Sequence, residues 1–154
     1  MLVAALLFAG AAAARDPANW FGDPYFQVSQ AIAGCPEPRG PAITEAEALA
    51  ESHHRAERGT RCHLEGRCRH PSSYDYDPEI AASIRDAIAK GRMKLPRSSL
   101  WVLVQGRRVY VYGCVPAGYP RGSLEKSLRA IPDVEAAIEQ LRVGDRGTMS
   151  YRVK

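Results

Sequence analysis

The clearest pattern of apolar and polar positions lies between residues 77 and 131. Apolar residues recur at helical spacing in two segments, which predicts one helix over 78–90 and a second over 121–131. Their apolar faces consist of Ile80, Ile84, Ala87 and Ile88 in the first helix and Leu124, Leu128 and Ile131 in the second. Both helices are therefore predicted to cover a common core.

Between these helices, two β-rich runs predict a hairpin with Gly106 and Arg107 as its central turn pair. This turn places Val104 opposite Val109 and Val102 opposite Val111. Residues 135–143 predict a third strand. The fold class is therefore α+β, with the order helix, strand, strand, helix, strand around a small three-stranded mixed sheet.

The hairpin is apolar on both faces. Alternation directs valines to the face that the helices cover, and the other face carries Trp101, Leu103, Tyr110, Tyr112 and Cys114. One interpretation is that residues 15–76 pack on this second face, where the apolar area would come from Trp20, Phe21, Tyr25 and Phe26. The alternative is an exposed aromatic patch for a partner, formed by Trp101, Leu103, Tyr110 and Tyr112.

Residues 15–76 are predicted to form a mostly helical, loop-rich extension. Asp23 followed by Pro24 predicts a helix start and a short helix over 24–33. Thr44 and Glu47 match a capping box, which predicts a helix over 45–58. This half has few large aliphatic residues, so its stability depends on the second half or on disulfides.

The first fourteen residues carry neither a charge nor a polar side chain. They are too few to span a bilayer as a helix, and they fit a secretory signal peptide cleaved near Ala14. A buried N-terminal helix is the alternative. The predicted organisation is a signal peptide over 1–14, the extension over 15–76, a domain over 77–145 and a tail over 146–154, in a periplasmic protein.

Four cysteines in an exported chain favour disulfides. Three pairings are possible, and we favour a local Cys62–Cys68 bond with a long-range Cys35–Cys114 bond. Zinc binding with help from His63 or His70 is the rival interpretation, but the Cys-x5-Cys spacing matches no compact zinc motif. We therefore predict no metal and no cofactor.

The charge differs between the two halves of the chain. The whole sequence has a net charge of +4, of which residues 15–76 contribute −2 and residues 77–154 contribute +6. A positive module is drawn to anionic surfaces, and an exported protein rarely meets nucleic acid. The lipid-contact candidates are Arg121, Lys126 and Arg129 around the second helix and Arg107 and Arg108 at the hairpin tip. Their alternative role is an ordinary solvated surface.

The segment Val109-Tyr110-Val111-Tyr112-Gly113-Cys114-Val115 resembles the strand motif of the BON domain, a small module of bacterial envelope proteins. After the second helix, Asp133-Val134, Ala137, Leu141 and Val143 stand where that family has a Gly-Val step followed by spaced apolar residues. Asp133 replaces the usual Gly. The resemblance covers about residues 77–143 and implies a non-enzymatic module that binds anionic phospholipid.

The residues themselves give little sign of catalysis. The chain has no Gly-x-Ser-x-Gly motif and no phosphate-binding glycine loop, and His53 and His54 have no evident nucleophile beside them. We expect a non-enzymatic envelope protein without a small-molecule substrate, which associates with anionic membrane surfaces. The alternative is a scaffolding module that binds an envelope protein or cell-wall component without lipid. A small metal-binding protein is a third class, and it would require free thiols.

Overall fold

A computed structural model describes residues 17–144 and 147–154 of the chain. The predicted signal peptide over 1–14 lies outside these residues. The described part is an α+β fold built on a four-stranded mixed sheet. In chain order its elements are β1 (Tyr25–Gln30), α1 (Glu45–Glu57), α2 (Thr60–Leu64), a 3-10 turn (Ser73–Tyr76), α3 (Asp77–Ala89), β2 (Ser99–Gln105), β3 (Arg108–Val115), α4 (Ser123–Arg129) and β4 (Ala136–Val143).

The sheet has the strand order β1-β2-β3-β4. β3 is antiparallel to β2 and parallel to β4, so the hairpin and third strand of the second half follow the predicted order. Val104 pairs with Val109 and Val102 with Val111, which confirms the predicted register. Gly106 and Arg107 both have positive φ, at 59° and 65°, as a tight hairpin turn requires.

The sheet has four strands because the first half supplies one, and the prediction of three was incomplete. The predicted helix over 24–33 is wrong, since Tyr25–Gln30 forms β1 against β2. Asp23 does not cap a helix, because its carboxylate binds Arg55. In a strand, Tyr25 and Phe26 point to opposite faces, and each is half-buried against a different layer.

The main core lies between one face of the sheet and the helices α3 and α4. The predicted apolar stripes face this core. Its buried members include Ile80, Ile84 and Ala87 from α3, Leu124 and Leu128 from α4, and the valines 102, 104, 109, 111 and 115. Ile88 and Ile131 pack at its margin.

Helix α1 docks on the sheet through an ion pair more than through apolar contact. Its large apolar residue Leu49 is 77% exposed, whereas Arg55 is 9% exposed and forms a bidentate pair with Asp23 at 2.8 and 2.5 Å. The Arg55 guanidinium lies between the rings of Phe21 and Tyr74, at 3.8 and 4.3 Å from their centroids. The Thr44 and Glu47 capping box is present as predicted.

The structure has the two disulfides of the favoured pairing, Cys62–Cys68 and Cys35–Cys114. The first joins α2 to the loop that follows it, and the second joins the loop after β1 to β3. Disulfides fit an oxidising compartment outside the cytosol. Among the helices that the structure describes, none is long and apolar enough to cross a membrane.

Candidate functional site

The structure places the five basic lipid-contact candidates on three different segments. Arg107 and Arg108 lie at the hairpin turn, where β3 begins. Arg121 lies just before α4, and Lys126 and Arg129 lie within α4. The amide that follows Arg121, Gly122 N, donates to the Glu139 carboxylate of β4 at 2.9 Å.

Some of these candidates are already engaged within the protein. The Arg107 side chain is half-buried, donates from Nε to the Asp133 carbonyl at 2.9 Å and stacks on the Tyr76 ring at 4.8 Å. Arg129 is exposed and pairs with Glu125 at 3.1 Å. Arg107 therefore supports the hairpin turn rather than offering a free charge.

A different basic cluster forms at the end of the sheet opposite the hairpin turn. We call it the basic end, and its residues are Lys94, Arg97, Arg121 and Arg142. Ser99 at the start of β2 and Arg142 near the end of β4 are both register partners of Cys114 in β3. Arg97 precedes Ser99 by two residues, so Arg97 and Arg142 lie at the same end. Lys94 lies in the loop that leads from α3 into β2 at that end, and Arg121 lies in the loop that leaves β3 there and leads to α4.

In the part of the chain that the structure describes, no carboxylate forms an ion pair with the basic end. Within residues 17–144 and 147–154, none of the four cations takes part in an ion pair, and Lys94, Arg97 and Arg121 are exposed. Asp86, on the last turns of α3, is already paired with Lys90 and Arg92. Sequence reasoning selected Arg121 and missed the other three. The signal that could have found them is the hairpin register, which brings the start of β2 beside the end of β3.

A pocket of about 280 Å³ opens between Arg97 and Arg142. Its other walls are apolar side chains and glycine, from Val115, Ala117 and Gly144 among others. The Nε of Arg142 is buried without an acceptor among the described residues. This pocket is therefore electropositive, because two guanidinium groups line it.

The second face of the sheet is covered partly by the first half and partly by the C-terminal tail. Trp101 and Leu103 are buried, whereas Tyr110 and Tyr112 are half-buried. The loop after β1 is held over this face by the Cys35–Cys114 bond. Tail residues contact the same loop through the hydrogen bonds Arg39 N to Arg152 O (2.8 Å), Lys154 N to Glu37 O (3.1 Å) and Tyr151 Oη to Pro36 O (3.0 Å).

The aromatic residues of the first half are arranged differently from the prediction. Tyr25 lies on the second face opposite Leu103, and its hydroxyl donates to the Pro38 carbonyl at 3.0 Å. Phe26 instead faces the helical layer, where the Arg85 guanidinium stacks on it at 3.8 Å. Trp20 donates from Nε1 to the Ile43 carbonyl at 2.8 Å. The predicted cover is thus built by Tyr25 and the loop backbone rather than by all four aromatic rings.

The incomplete cover leaves a cleft of about 520 Å³, which we call the tyrosine cleft. Tyr112 and Tyr151 form its aromatic wall, with ring centroids 6.0 Å apart, and Tyr110 stacks on Tyr112 at 6.3 Å. Arg39 and Arg152 line its rim. Burial raises the pKa of Tyr112 to about 12, so this phenol is neutral at physiological pH.

The histidines have no free thiol beside them, although His63 Nδ1 lies 3.1 Å from the Cys68 carbonyl. All four cysteines are in disulfides, so none is a free thiolate ligand. His53 is exposed beside Glu57, and His70 contacts Glu79 and the Tyr76 ring. In the part of the chain that the structure describes, no group of three or more His, Cys, Asp or Glu side chains could hold a metal ion.

Comparisons of the chain with protein-family models, with curated proteins and with solved structures find no match in any of the three.

Proposed function

We propose that this protein is an exported, non-enzymatic module of the bacterial envelope that associates with anionic phospholipid surfaces. The observation that carries the proposal is the basic end, where Lys94, Arg97, Arg121 and Arg142 have no carboxylate partner among the described residues. A cationic side chain near an anionic surface contributes about 1 kcal/mol. Four such residues give roughly 4 kcal/mol, enough for weak, salt-dependent association.

The elements of the second half support a BON-like module as part of this proposal. α3, β2, β3, α4 and β4 follow in the helix-strand-strand-helix-strand order of the resemblance. Gly113, the glycine of the strand motif, has a φ of 130° and leaves no room for a Cβ against the Ser99 carbonyl. Asp133 has a φ of 65°, a conformation that suits the Gly of the family pattern.

A periplasmic location completes the proposal. The apolar segment 1–14 supplies an export signal in this interpretation. The two disulfides would then form after export, in an oxidising compartment. A positive module in the periplasm would meet the anionic headgroups of the membranes that enclose it.

The test is co-sedimentation of residues 15–154, which contain every described element, with vesicles. We expect binding to phosphatidylglycerol vesicles at low salt, weaker binding at physiological salt and no binding to phosphatidylcholine vesicles. Lys94→Glu with Arg121→Glu should weaken binding at least tenfold. The matched control is Arg61→Glu with Arg67→Glu, which changes the net charge equally at exposed sites outside the basic end. Equal losses in both double variants, or no vesicle binding, would contradict the proposal.

The second candidate function is binding of an envelope protein or cell-wall component at the tyrosine cleft. The observation that favours it is the half-buried aromatic wall of Tyr112 and Tyr151 beside Arg39 and Arg152. Co-sedimentation with isolated cell-wall sacculi in high salt tests the cell-wall form, because salt screens purely electrostatic attachment. Tyr112→Ala and Tyr151→Ala should then weaken binding, and the exposed control Leu49→Ala should not.

A further inference from the structure

We propose that Arg97 and Arg142 form a specific binding site for one phosphate group at the basic end. The inference rests on the proposed function, since a lipid headgroup is one source of that phosphate and free phosphate is the other. It assigns the binding of the phosphate to a defined pocket and to two arginine side chains, whereas the proposed function requires only a general electrostatic attraction.

The pocket has the composition that phosphate binding requires. Among the described residues, two guanidinium groups line it and no carboxylate does, and the remaining walls are apolar or glycine. Guanidinium groups bind phosphate oxygens through pairs of parallel N–H donors, and they do so more strongly where water is partly excluded. A volume of about 280 Å³ lies just below the usual range for small-molecule sites, roughly 300–1,000 Å³. The pocket therefore fits a single anionic group better than a larger ligand.

Arg142 is held in place and carries an unused donor. It lies in β4 beside Cys114, and a Cβ added to Gly147 would come within 3.2 Å of its Cγ, so the tail closely covers its side chain. Its Nε is buried and has no acceptor among the described residues. Because this donor has no partner, the charge of the guanidinium is not compensated by a hydrogen bond there, which favours an anion in the adjoining pocket.

Arg97 is exposed, but the backbone that carries it is fixed. The neighbouring Ser98 is fully buried, and its hydroxyl contacts the Pro96 carbonyl and the Ser29 hydroxyl, each at 2.9 Å. The Ser98 carbonyl also accepts from Ala31 N at 2.8 Å. The backbone of Arg97 is therefore fixed beside the pocket. Only the side-chain torsions of Arg97 have to become ordered when an anion binds. Such preorganisation lowers the entropic cost of binding an anion.

Titration of inorganic phosphate into residues 15–154 at low salt, followed by NMR, tests the site. We expect saturable shifts at the amides of Val115, Ala117 and Gly144, which line the pocket. Arg97→Gln should weaken phosphate binding at least tenfold, and Arg142→Lys should weaken it similarly although the charge is kept. The matched control is the exposed Arg61→Gln outside the basic end, which should change it less than threefold. Non-saturable shifts, or equal losses in all three variants, would overturn the site.

The folding of Arg142→Lys is checked by its amide spectrum, and exposed Arg97 provides a variant that does not disturb the core. Vesicles then separate this inference from the proposed function. If vesicles bind and phosphate does not saturate the pocket, the site is refuted while surface association stands. If phosphate saturates the pocket and vesicles do not bind, the site holds for free phosphate and the membrane function is refuted. Binding of vesicles in competition with phosphate supports both.

Discussion

Cys35 and Cys114 form a disulfide that ties the loop after β1 to the end of β3 across 79 positions of sequence. Cys114 is 1% exposed and belongs to the second face of the sheet. The bond thus holds part of the cover directly on the aromatic side of the hairpin. It links a structural element of the first half to the half that carries the basic end.

Loss of this disulfide should open the second face. Closing a loop of this length stabilises the fold by about 4.5 kcal/mol in the chain-entropy model, compared with about 2 kcal/mol for the six-residue Cys62–Cys68 loop. Cys35→Ser with Cys114→Ser should therefore lower the free energy of unfolding by the larger amount. It should also increase the fluorescence of a hydrophobic dye, because Trp101 and Leu103 lose their cover.

The control for that prediction is Cys62→Ser with Cys68→Ser, in an exposed segment outside the sheet. Urea denaturation and dye binding are measured for both double variants. Equal dye binding in the two would show that the loop after β1 covers the second face without help from its disulfide.

The buried pair Asp23–Arg55 should be the ion pair that the fold depends on most. Asp23→Asn leaves the Arg55 guanidinium buried between two rings without its carboxylate, and this type of change costs about 3–5 kcal/mol. Glu65→Gln removes an exposed partner of Arg61 and Arg67 and should lower the stability far less, because water screens these charges. Urea denaturation gives both values, and similar small losses would show that α1 is held by other contacts.

The second half of the fold could be read from the sequence, because its signals were local. The stripes of α3 and α4, the turn at Gly106 and the valine alternation each lie within a few residues. β1 could not be predicted in the same way, because Asp23 followed by Pro24 is a sequence typical of a helix start. The choice of strand depends on Asp23 binding Arg55 and on β1 pairing with β2, and both are long-range contacts.

The candidate site was only partly predictable for a similar reason. Arg121 was selected because it stands near a helix with a clear stripe. Arg97 and Arg142 are 45 positions apart, and only the pairing of β2, β3 and β4 brings them to one end of the sheet. Arg107 was selected as a free charge, but its partners Asp133 and Tyr76 come from two other elements.

Gly113 should be essential for the pairing of β2 and β3. A Cβ at this position would collide with the carbonyl of Ser99, and its φ of 130° disfavours any other residue. The strain of a positive φ alone is about 1–2 kcal/mol. Gly113→Ala should therefore lower the free energy of unfolding by more than this amount. The matched control is Gly118→Ala, which has a φ of 85° but open space around the added methyl. Equal destabilisation in urea would mean that β2 shifts to admit the methyl group.

The carboxyl of Asp77 should make stability depend on pH in an unusual direction. Burial raises its pKa to about 6 from 3.8, against the hydrogen bonds that it accepts from Arg107 N and Gly106 N at the hairpin turn. Between pH 4 and 6 the folded protein therefore keeps a proton that the unfolded chain loses. Since the folded state then binds more protons, this group lowers the free energy of unfolding as pH rises through that window.

Asp77→Asn removes this titration. The difference in free energy of unfolding between the wild type and the variant should therefore shrink as pH rises from 4 to 7. Urea denaturation of both proteins at several pH values measures this difference. Titrating groups that the two proteins share contribute equally to both and cancel. Glu79→Gln is the control of opposite sign, because hydrogen bonds from Arg69 and His70 lower the pKa of Glu79. For that pair, the extra stability of the wild type should be lost as the pH falls into the acidic range in which glutamate carboxyls become protonated. An advantage over Asp77→Asn that stays constant with pH would show that Asp77 is ionised throughout, held by the two turn amides.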